Sequence, residues 1–581
     1  MFKLIKTCIG KYKYAAIFSV ILIIVEVLLE VAIPLQMTKL INYIEDGGRV
    51  ISELVKMGLL MIGLALASLV VGACSGLLSA IASTGFSKNV RQKLFHDMQN
   101  FSFYNIDKFS TSSLVTRLTT DISNIQMTFM MIIRILVRSP VMLISVLVMA
   151  FNLNVRLALV FVILTPFMAM ALAFIFIKAH PQFKKMLVRY DVLNNRVQEN
   201  LIGIRAVKAF VREDYEIDNF KKVSDDLRRA NFKAERIVVW QGPIMMITMY
   251  SCIIGILLLG GNLYTKGVIN VGEISGMITY VTMILMSLMM ISMAVVTMVI
   301  SRVSVARVWE VMNEVPDIND DKADKNLLVE NGEIVFDNVG FSYAKDKNNL
   351  VLENINLKIN SGETIGIIGG TGSGKTSLVQ LIPRLYDVTD GSLKIAGHDI
   401  KEYSIYNLRE AISVVLQKNV LFSGTIKENL RWGNENATDE EMIEACKIAA
   451  ADDFISSFPD GYDRRVEQGG VNFSGGQKQR LCIARALLKK PKILILDDST
   501  SAVDTATDKK IREGFKSQIA DTTKIIIAQR INSVMDADKI VVLNEGKIVA
   551  VGNHEELLSS CDIYKETYDL QIKDGDDNEQ K

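Results

Sequence analysis

The chain has 581 residues, a formal net charge of +1 and a hydrophobic fraction of 50%. Its length points to more than one domain, and its near-zero charge gives no electrostatic case for a nucleic-acid partner. Six cysteines (Cys8, Cys74, Cys252, Cys446, Cys482, Cys561) are scattered without CxxC spacing, which argues against a disulfide framework or a zinc site and for buried thiols in a reducing compartment.

The hydrophobic residues are concentrated in the first 300 positions. The stretch from Phe2 to Tyr14 is short, basic and amphipathic. The apolar run after it is too long for a signal peptide and shows no small-residue cleavage site, so an interfacial elbow helix followed by a span is expected. Candidate spans are 15–36, 57–80, 130–151, 157–179, 240–261 and 274–297, each near the roughly 20 residues that a bilayer demands. The connection between the fourth and fifth spans is dense in Lys and Arg from Lys178 to Arg236, whereas the opposite loops hold only Lys39, Arg49, Lys56, Arg156 and Lys266. The positive-inside rule then places the N-terminus and everything after the sixth span in the cytoplasm.

About 50 residues separate spans two and three and about 60 separate four and five, too long for structureless loops. Helical periodicity in Leu187–Arg205 and Ile217–Arg236 predicts that the spanning helices continue beyond the bilayer, joined by a short turn within Gly203–Tyr215. The counterpart connection is Phe103–Phe109. Each turn carries an aromatic residue among polar ones, Phe210 and Phe109, as a protruding contact or an ordinary solvated turn would.

Charges within spans are costly and informative. Glu26 and Glu30 lie one helical turn apart in the first span, Arg134 and Arg138 one turn apart in the third. Two readings stand: the pairs neutralise each other across helices, or the glutamates face a watery cavity and meet cationic substrates. Met283, Met286, Met290 and Met293 form a stripe on the last span, which either packs or lines an adaptable ligand cavity. Pro34, Pro140, Pro166 and Pro243 are candidate kinks. The polar, proline-marked run 313–331 reads as a linker, dividing a membrane domain (1–312) from a second domain (332–570) with a polar tail (571–581).

In the second domain, short β-branched runs alternate with helical patterns, as in an α/β core. Gly369-Gly370-Thr371-Gly372-Ser373-Gly374-Lys375-Thr376 has the G-x-x-x-x-G-K-T spacing of a phosphate-binding loop. It follows an apolar strand, Thr364–Ile368, and opens a helix beginning Ser377-Leu378-Val379. Its glycines let backbone N–H groups point at phosphate oxygens, Lys375 can reach the β- and γ-phosphates, and Thr376 can hold Mg²⁺. Asp497 ends the apolar strand 492–497, the position of a second Mg²⁺ group. Gln417 ends the strand 415–417, within reach of Mg²⁺ or the attacking water. Tyr343 lies upstream of the loop, where its ring either stacks on a base or packs.

Between these elements lies Asn472-Phe473-Ser474-Gly475-Gly476-Gln477-Lys478-Gln479-Arg480. The Ser-Gly-Gly-Gln run, opening a helix ahead of a strand that ends in Asp, resembles the ATP-binding cassette signature. With the six spans, nearly the whole chain resembles an ABC exporter half-transporter, and in particular one subunit of the heterodimeric bacterial multidrug exporters. The resemblance implies an all-α six-helix transmembrane domain with long cytoplasmic helix extensions, then an α/β P-loop ABC domain. It implies ATP and Mg²⁺ as ligands, with Gly369–Thr376 and Ser377 on ATP and with Thr376, Gln417 and Asp497 on the metal. Tyr343 would be the adenine-stacking aromatic and Gln417 the Q-loop glutamine. Val466–Gly470 would be the X-loop, Ser501-Ala502-Val503-Asp504 the D-loop, and Ser474, Gly475, Gly476 and Gln477 the signature that serves a partner's ATP. The turns at Phe109 and Phe210 would be coupling helices.

Two positions depart from the family's pattern. The family expects glutamate after Asp497 and the chain has Asp498; it expects a switch histidine after strand 524–528 and the chain has Gln529. Aspartate is one methylene shorter, and misplacing a general base on that scale removes roughly 10²–10⁴ in rate. Glutamine can hydrogen-bond the γ-phosphate but cannot carry imidazolium charge. The expected function is ATP-driven export of hydrophobic or amphipathic drug-like small molecules across the cytoplasmic membrane, with a hydrophobic or cationic small molecule as substrate. This chain would form a heterodimer with a second half-transporter carrying the proper Glu and His, and its own site would bind ATP but turn it over slowly. The alternatives are an exporter of lipid or peptide, or a regulatory ATP-binding subunit that does not touch substrate. Six spans disfavour nucleic-acid work.

Overall fold

A computed structural model describes residues 1–48, 50–321, 323–498 and 503–579. The chain divides into two compact units, Met1–Gln99 with Thr111–Glu314, and Asn100–Ser110 with Val315–Lys581.

The first unit is helical. Among the described residues, six helical stretches are long and apolar enough to cross a membrane: Gly10–Glu45, Ile51–Gln99, Thr111–Leu153, Val155–Ile202, Glu213–Thr265 and Val271–Val295. An elbow helix, Phe2–Cys8, precedes them. The helix Ile51–Gln99 has 49 residues, which at 1.5 Å each is about 74 Å. That is more than twice the roughly 30 Å hydrocarbon layer, so the helix must run on beyond it. The chain turns at Gly203 into a short helix, Ile204–Ala209, and re-enters helix at Glu213. Pro34, Pro140 and Pro166 lie inside helices, as does Pro181. Pro243 stands in the first turn of Gln241–Thr265, just past the turn at 239–240, where its missing N–H has no intrahelical partner to lose.

The core of this unit joins Val27 and Val31 of the first span to Met142, Val146, Phe161, Ile256 and Met277. Tyr280 is wholly buried there, and its phenol donates to the Val31 carbonyl at 3.0 Å, which satisfies its one polar atom. Among the cysteines, Cys74 is exposed and the other five are buried.

The second unit is an α/β domain of twelve described strands. These are β1 (Ile334–Phe341), β2 (Leu352–Ile359), β3 (Thr364–Gly369), β4 (Asp390–Ile395), β5 (His398–Asp399), β6 (Ile412–Val415), β7 (Gly424–Thr425), β8 (Arg465–Val466), β9 (Ile493–Asp497), β10 (Thr523–Ile527), β11 (Lys539–Asn544) and β12 (Lys547–Gly552). The main sheet has the order β12-β11-β3-β10-β9-β6, parallel throughout except for β12. Strands β9 and β10 are buried at every position, and their apolar stretches Ile493–Leu496 and Ile525–Ile527 are what a parallel strand covered on both faces requires. An antiparallel sheet, β2-β1-β4-β5, lies in the same unit. The short segment Asn100–Ser110 also belongs to this unit. It forms a helix, Phe103–Phe109, closed by a capping box between Ser102 and Asn105.

Candidate functional site

Four adjacent parallel strands, β3, β10, β9 and β6, end on one edge of the sheet, and each delivers a predicted residue just past its end. In open α/β sheets ligands bind at this carboxyl edge.

After β3, the chain turns through Gly372 (φ +83°) and Gly374 (φ +96°). These left-handed conformations favour glycine, and a Cβ at Gly374 would lie 2.7 Å from Leu352 Cδ2. The helix Lys375–Leu381 follows with no side-chain cap, so its first N–H groups are left to whatever the loop holds. Lys375 Nζ donates to the carbonyls of Gly369 (2.7 Å) and Gly370 (2.8 Å), folded onto its own loop. Burial lowers its pKa, opposed by the carboxylates of Asp497 and Asp498. Thr376 Oγ1 donates to Asp497 Oδ1 at 3.2 Å. The two hard oxygens thus lie side by side, the donor type that Mg²⁺ prefers. Asp497 is buried at the end of β9, and desolvation raises its pKa.

The two unusual residues meet. Gln529 Nε2, past β10, donates to Asp498 Oδ2 at 2.7 Å, and Gln417 Nε2, past β6, donates to the same oxygen at 3.4 Å. Asp498 has φ +49° and is buried, which raises its pKa; the amide donors of Gln417 and Gln529 act in the opposite direction. Gln479 carries little signal in the sequence. It is almost fully buried and donates to the Asp498 carbonyl at 3.3 Å. The only hint was an amide on the inner face of the signature helix, two residues after Gln477.

Tyr343 is 39% exposed. Its hydroxyl pairs with Ser377 Oγ at 2.8 Å, one residue past the loop threonine. Its ring meets Phe341 (4.8 Å, 74°) and Tyr386 (5.1 Å, 89°) edge-on. The ring is part-exposed despite these contacts. Ser474 caps the helix Gly475–Leu488 in a box with Gln477, so both signature side chains are engaged in holding that helix end and Gly475 and Gly476 form its first turn. No hydrogen bond joins the signature to the phosphate loop among the described residues. Asp504 caps the helix Thr505–Gln518 by accepting from the Thr507 N–H at 2.9 Å, and backbone hydrogen bonding lowers its pKa. Ser501 and Ala502 of the predicted D-loop lie outside the described residues.

Several membrane-half expectations resolve unevenly. Arg138 holds both glutamates: Nη1 pairs with Glu26 Oε1, and Nη2 lies 2.7 Å from both Glu30 oxygens. Ser75 also donates to Glu26, at 3.2 Å. Arg134 forms no ion pair among the described residues; its guanidinium lies over Gly76. Met286, Met290 and Met293 are exposed, but Met283 packs against the core and does not share their environment. Phe210 is exposed. Phe109 does not protrude: it is buried, with its ring stacked on Phe101 at 6.1 Å.

The phosphate loop, the Thr376–Asp497 pair and the capped signature belong to one α/β unit of a chain whose described residues also include six membrane-length helices. Residues 16–302 match the model of the ABC transporter transmembrane region, and residues 352–501 match that of the ABC transporter itself. An uncharacterized ABC transporter ATP-binding protein, YfiB of Bacillus subtilis, is 36% identical over 97% of both chains. The chain belongs to the ABC transporter family. It is a half-transporter, with six membrane helices fused to one ATP-binding domain, and a multi-pass membrane protein. A putative multidrug export ATP-binding/permease protein of Staphylococcus aureus is 37% identical over 83% of each chain. An ATP-dependent lipid A-core flippase of Desulfotalea psychrophila is 33% identical over 83% of this chain and 84% of its own. The fold is that of a bacterial Atm1-family ABC exporter solved with ATP bound (TM-score 0.83, 24% identity, 97% of this chain and 99% of that one).

Proposed function

We propose that this half-transporter exports hydrophobic or amphipathic drug-like molecules across the cytoplasmic membrane, with its N-terminus and ATP-binding domain in the cytoplasm. It does so as one half of a heterodimer, and its own site binds ATP but hydrolyses it slowly. The observation that carries the slow-site reading is the Asp498 carboxylate held by the Gln529 and Gln417 amides. The two amides hold the carboxylate back at the strand end, and it is one methylene shorter than glutamate, so it stands short of the position from which a general base would reach the attacking water. Gln529 offers no imidazolium to a developing charge.

Binding does not need those groups. Lys375 exchanges two loop carbonyls for phosphate oxygens, and the loop amides and the Ser377 hydroxyl lie beside it. Thr376 and Asp497 would hold Mg²⁺, whose charge offsets that of the phosphates. Tyr343 offers its exposed ring to adenine. Ser474–Gln477 would complete the partner's site. Orientation follows from the basic residues between Lys178 and Arg236. The Staphylococcus relative favours a drug-like substrate; the likeness to lipid A-core flippases supports lipid as a second reading.

Purification of the tagged chain from its native membrane tests the heterodimer. The expected result is a second half-transporter in roughly equal amount, with Glu and His at the positions matching Asp498 and Gln529. A complex containing this chain alone, with full ATPase and transport activity, would overturn the proposal.

A further inference from the structure

Tyr386 stands at the centre of a ring cluster beside the phosphate loop. It is buried, and it packs edge-on to Tyr343 (5.1 Å, 89°) and tilted against Phe341 (5.7 Å) and Phe103 (6.1 Å). Its hydroxyl donates to Asp107 Oδ2 at 2.7 Å, across 279 residues of chain. Asp107 belongs to the helix Phe103–Phe109, in the connection between the second and third spans.

That helix is held firmly within the second unit. Asn105 Nδ2 donates to the Val315 carbonyl at 3.3 Å, and Ser102 Oγ bonds Asp317. Asp317 pairs with Lys345 at 2.8 Å, and Lys345 in turn sits 4.6 Å above the Tyr104 ring. Lys345 is two residues from Tyr343, so the helix grips the tyrosine's neighbourhood from two sides. Tyr343 itself is anchored through its hydroxyl to Ser377. The face it turns outward is set by the rings beside it, and edge-on contacts hold only at defined angles.

We propose that Asp107, acting through Tyr386, is a positioning residue for the adenine-binding face of Tyr343, so that the connection between spans two and three tunes this chain's affinity for adenine nucleotides. The Asp107 carboxylate holds the tip of the Tyr386 ring in place through its phenol, and the Phe341 and Phe103 rings packed against it limit its rotation. The ring then meets Tyr343 at a fixed, near-perpendicular angle, which keeps the exposed part of the Tyr343 ring aligned with the base. The inference rests on the reading that Tyr343 stacks the base.

The test compares binding of ATP and of inorganic tripolyphosphate, both with Mg²⁺, to the purified full-length complex. Tripolyphosphate uses the phosphate loop but has no base. Asp107→Ala and Tyr386→Phe are expected to weaken ATP binding about fivefold, the effect of one lost hydrogen bond. Tripolyphosphate should stay within about twofold. Asp107→Asn, whose amide oxygen still accepts from the phenol, should restore ATP binding; a general loss of folding would not be rescued in this way. Tyr343→Ala serves as the reference and should weaken ATP alone. If Tyr343→Ala leaves the ratio of the two ligands unchanged, the adenine reading fails and this inference with it. If Tyr343→Ala shifts the ratio but Asp107→Ala and Tyr386→Phe do not, or if they weaken both ligands equally, the positioning role alone is wrong.

Discussion

Replacing Asp498 by glutamate and Gln529 by histidine together is expected to raise ATP hydrolysis at this site by roughly two orders of magnitude or more. The reasoning starts from the strand ends. Asp498 follows β9 and Gln529 follows β10, neighbours in the parallel sheet, so their side chains meet at 2.7 Å. The glutamine amide donates permanently to the carboxylate, and Gln417 donates to the same oxygen. A glutamate at 498 regains the methylene that carries its carboxylate outward. A histidine at 529 can lie against the phosphates as a cation and also release the carboxylate from the amide. Asp498→Glu alone should gain less, because Gln529 remains placed to cap the longer side chain. The measurement is steady-state ATPase activity of the assembled complex, with the partner's site disabled so that only this site contributes. No gain over the parent would mean that positions 498 and 529 do not limit the chemistry.

Arg138→Ala is expected to destabilise the membrane unit by about 3–5 kcal/mol, the penalty for leaving buried charge without its counter-ion. Arg138 neutralises two carboxylates at once, and Glu26 lies deep between helices, with Ser75 as its other donor. Gly72 makes room for it: a Cβ there would lie 2.9 Å from Glu26 Oε1. Glu26, being buried, cannot turn to water without moving its helix. The check is the midpoint of thermal unfolding in detergent. Adding Glu26→Gln and Glu30→Gln to the same variant should recover most of the loss, because the uncompensated charges are then gone. An unchanged midpoint together with a loss of cation transport would place the carboxylates in a substrate path and not in a structural pairing.

The broad architecture was open to inspection in the chain because it rests on local signals. Six long apolar runs and a loop between an apolar strand and a helix each declare themselves within about 20 residues. The contacts that refine the site are not local. Arg134 and Arg138 are equivalent by spacing, and only the three-dimensional meeting of the first and third spans gives both glutamates to Arg138. Phe109 looked like an exposed aromatic in a polar turn, yet its partner Phe101 buries it. Nothing near Tyr386 in sequence shows that its hydroxyl reaches Asp107. The Asp498–Gln529 bond stands between these cases. Each residue was conspicuous as a departure from the family's pattern, but their direct contact follows only once β9 and β10 are known to pair.

The claim that this site holds ATP more than it consumes it is tested most directly by the chain purified as the only ABC subunit, with bound ATP and turnover measured on the same sample. Saturable binding near one ATP per chain is expected, with turnover below about 0.1 s⁻¹, roughly a hundredfold under the typical enzyme rate of about 10 s⁻¹. Turnover of several per second from a homodimer of this chain would contradict it.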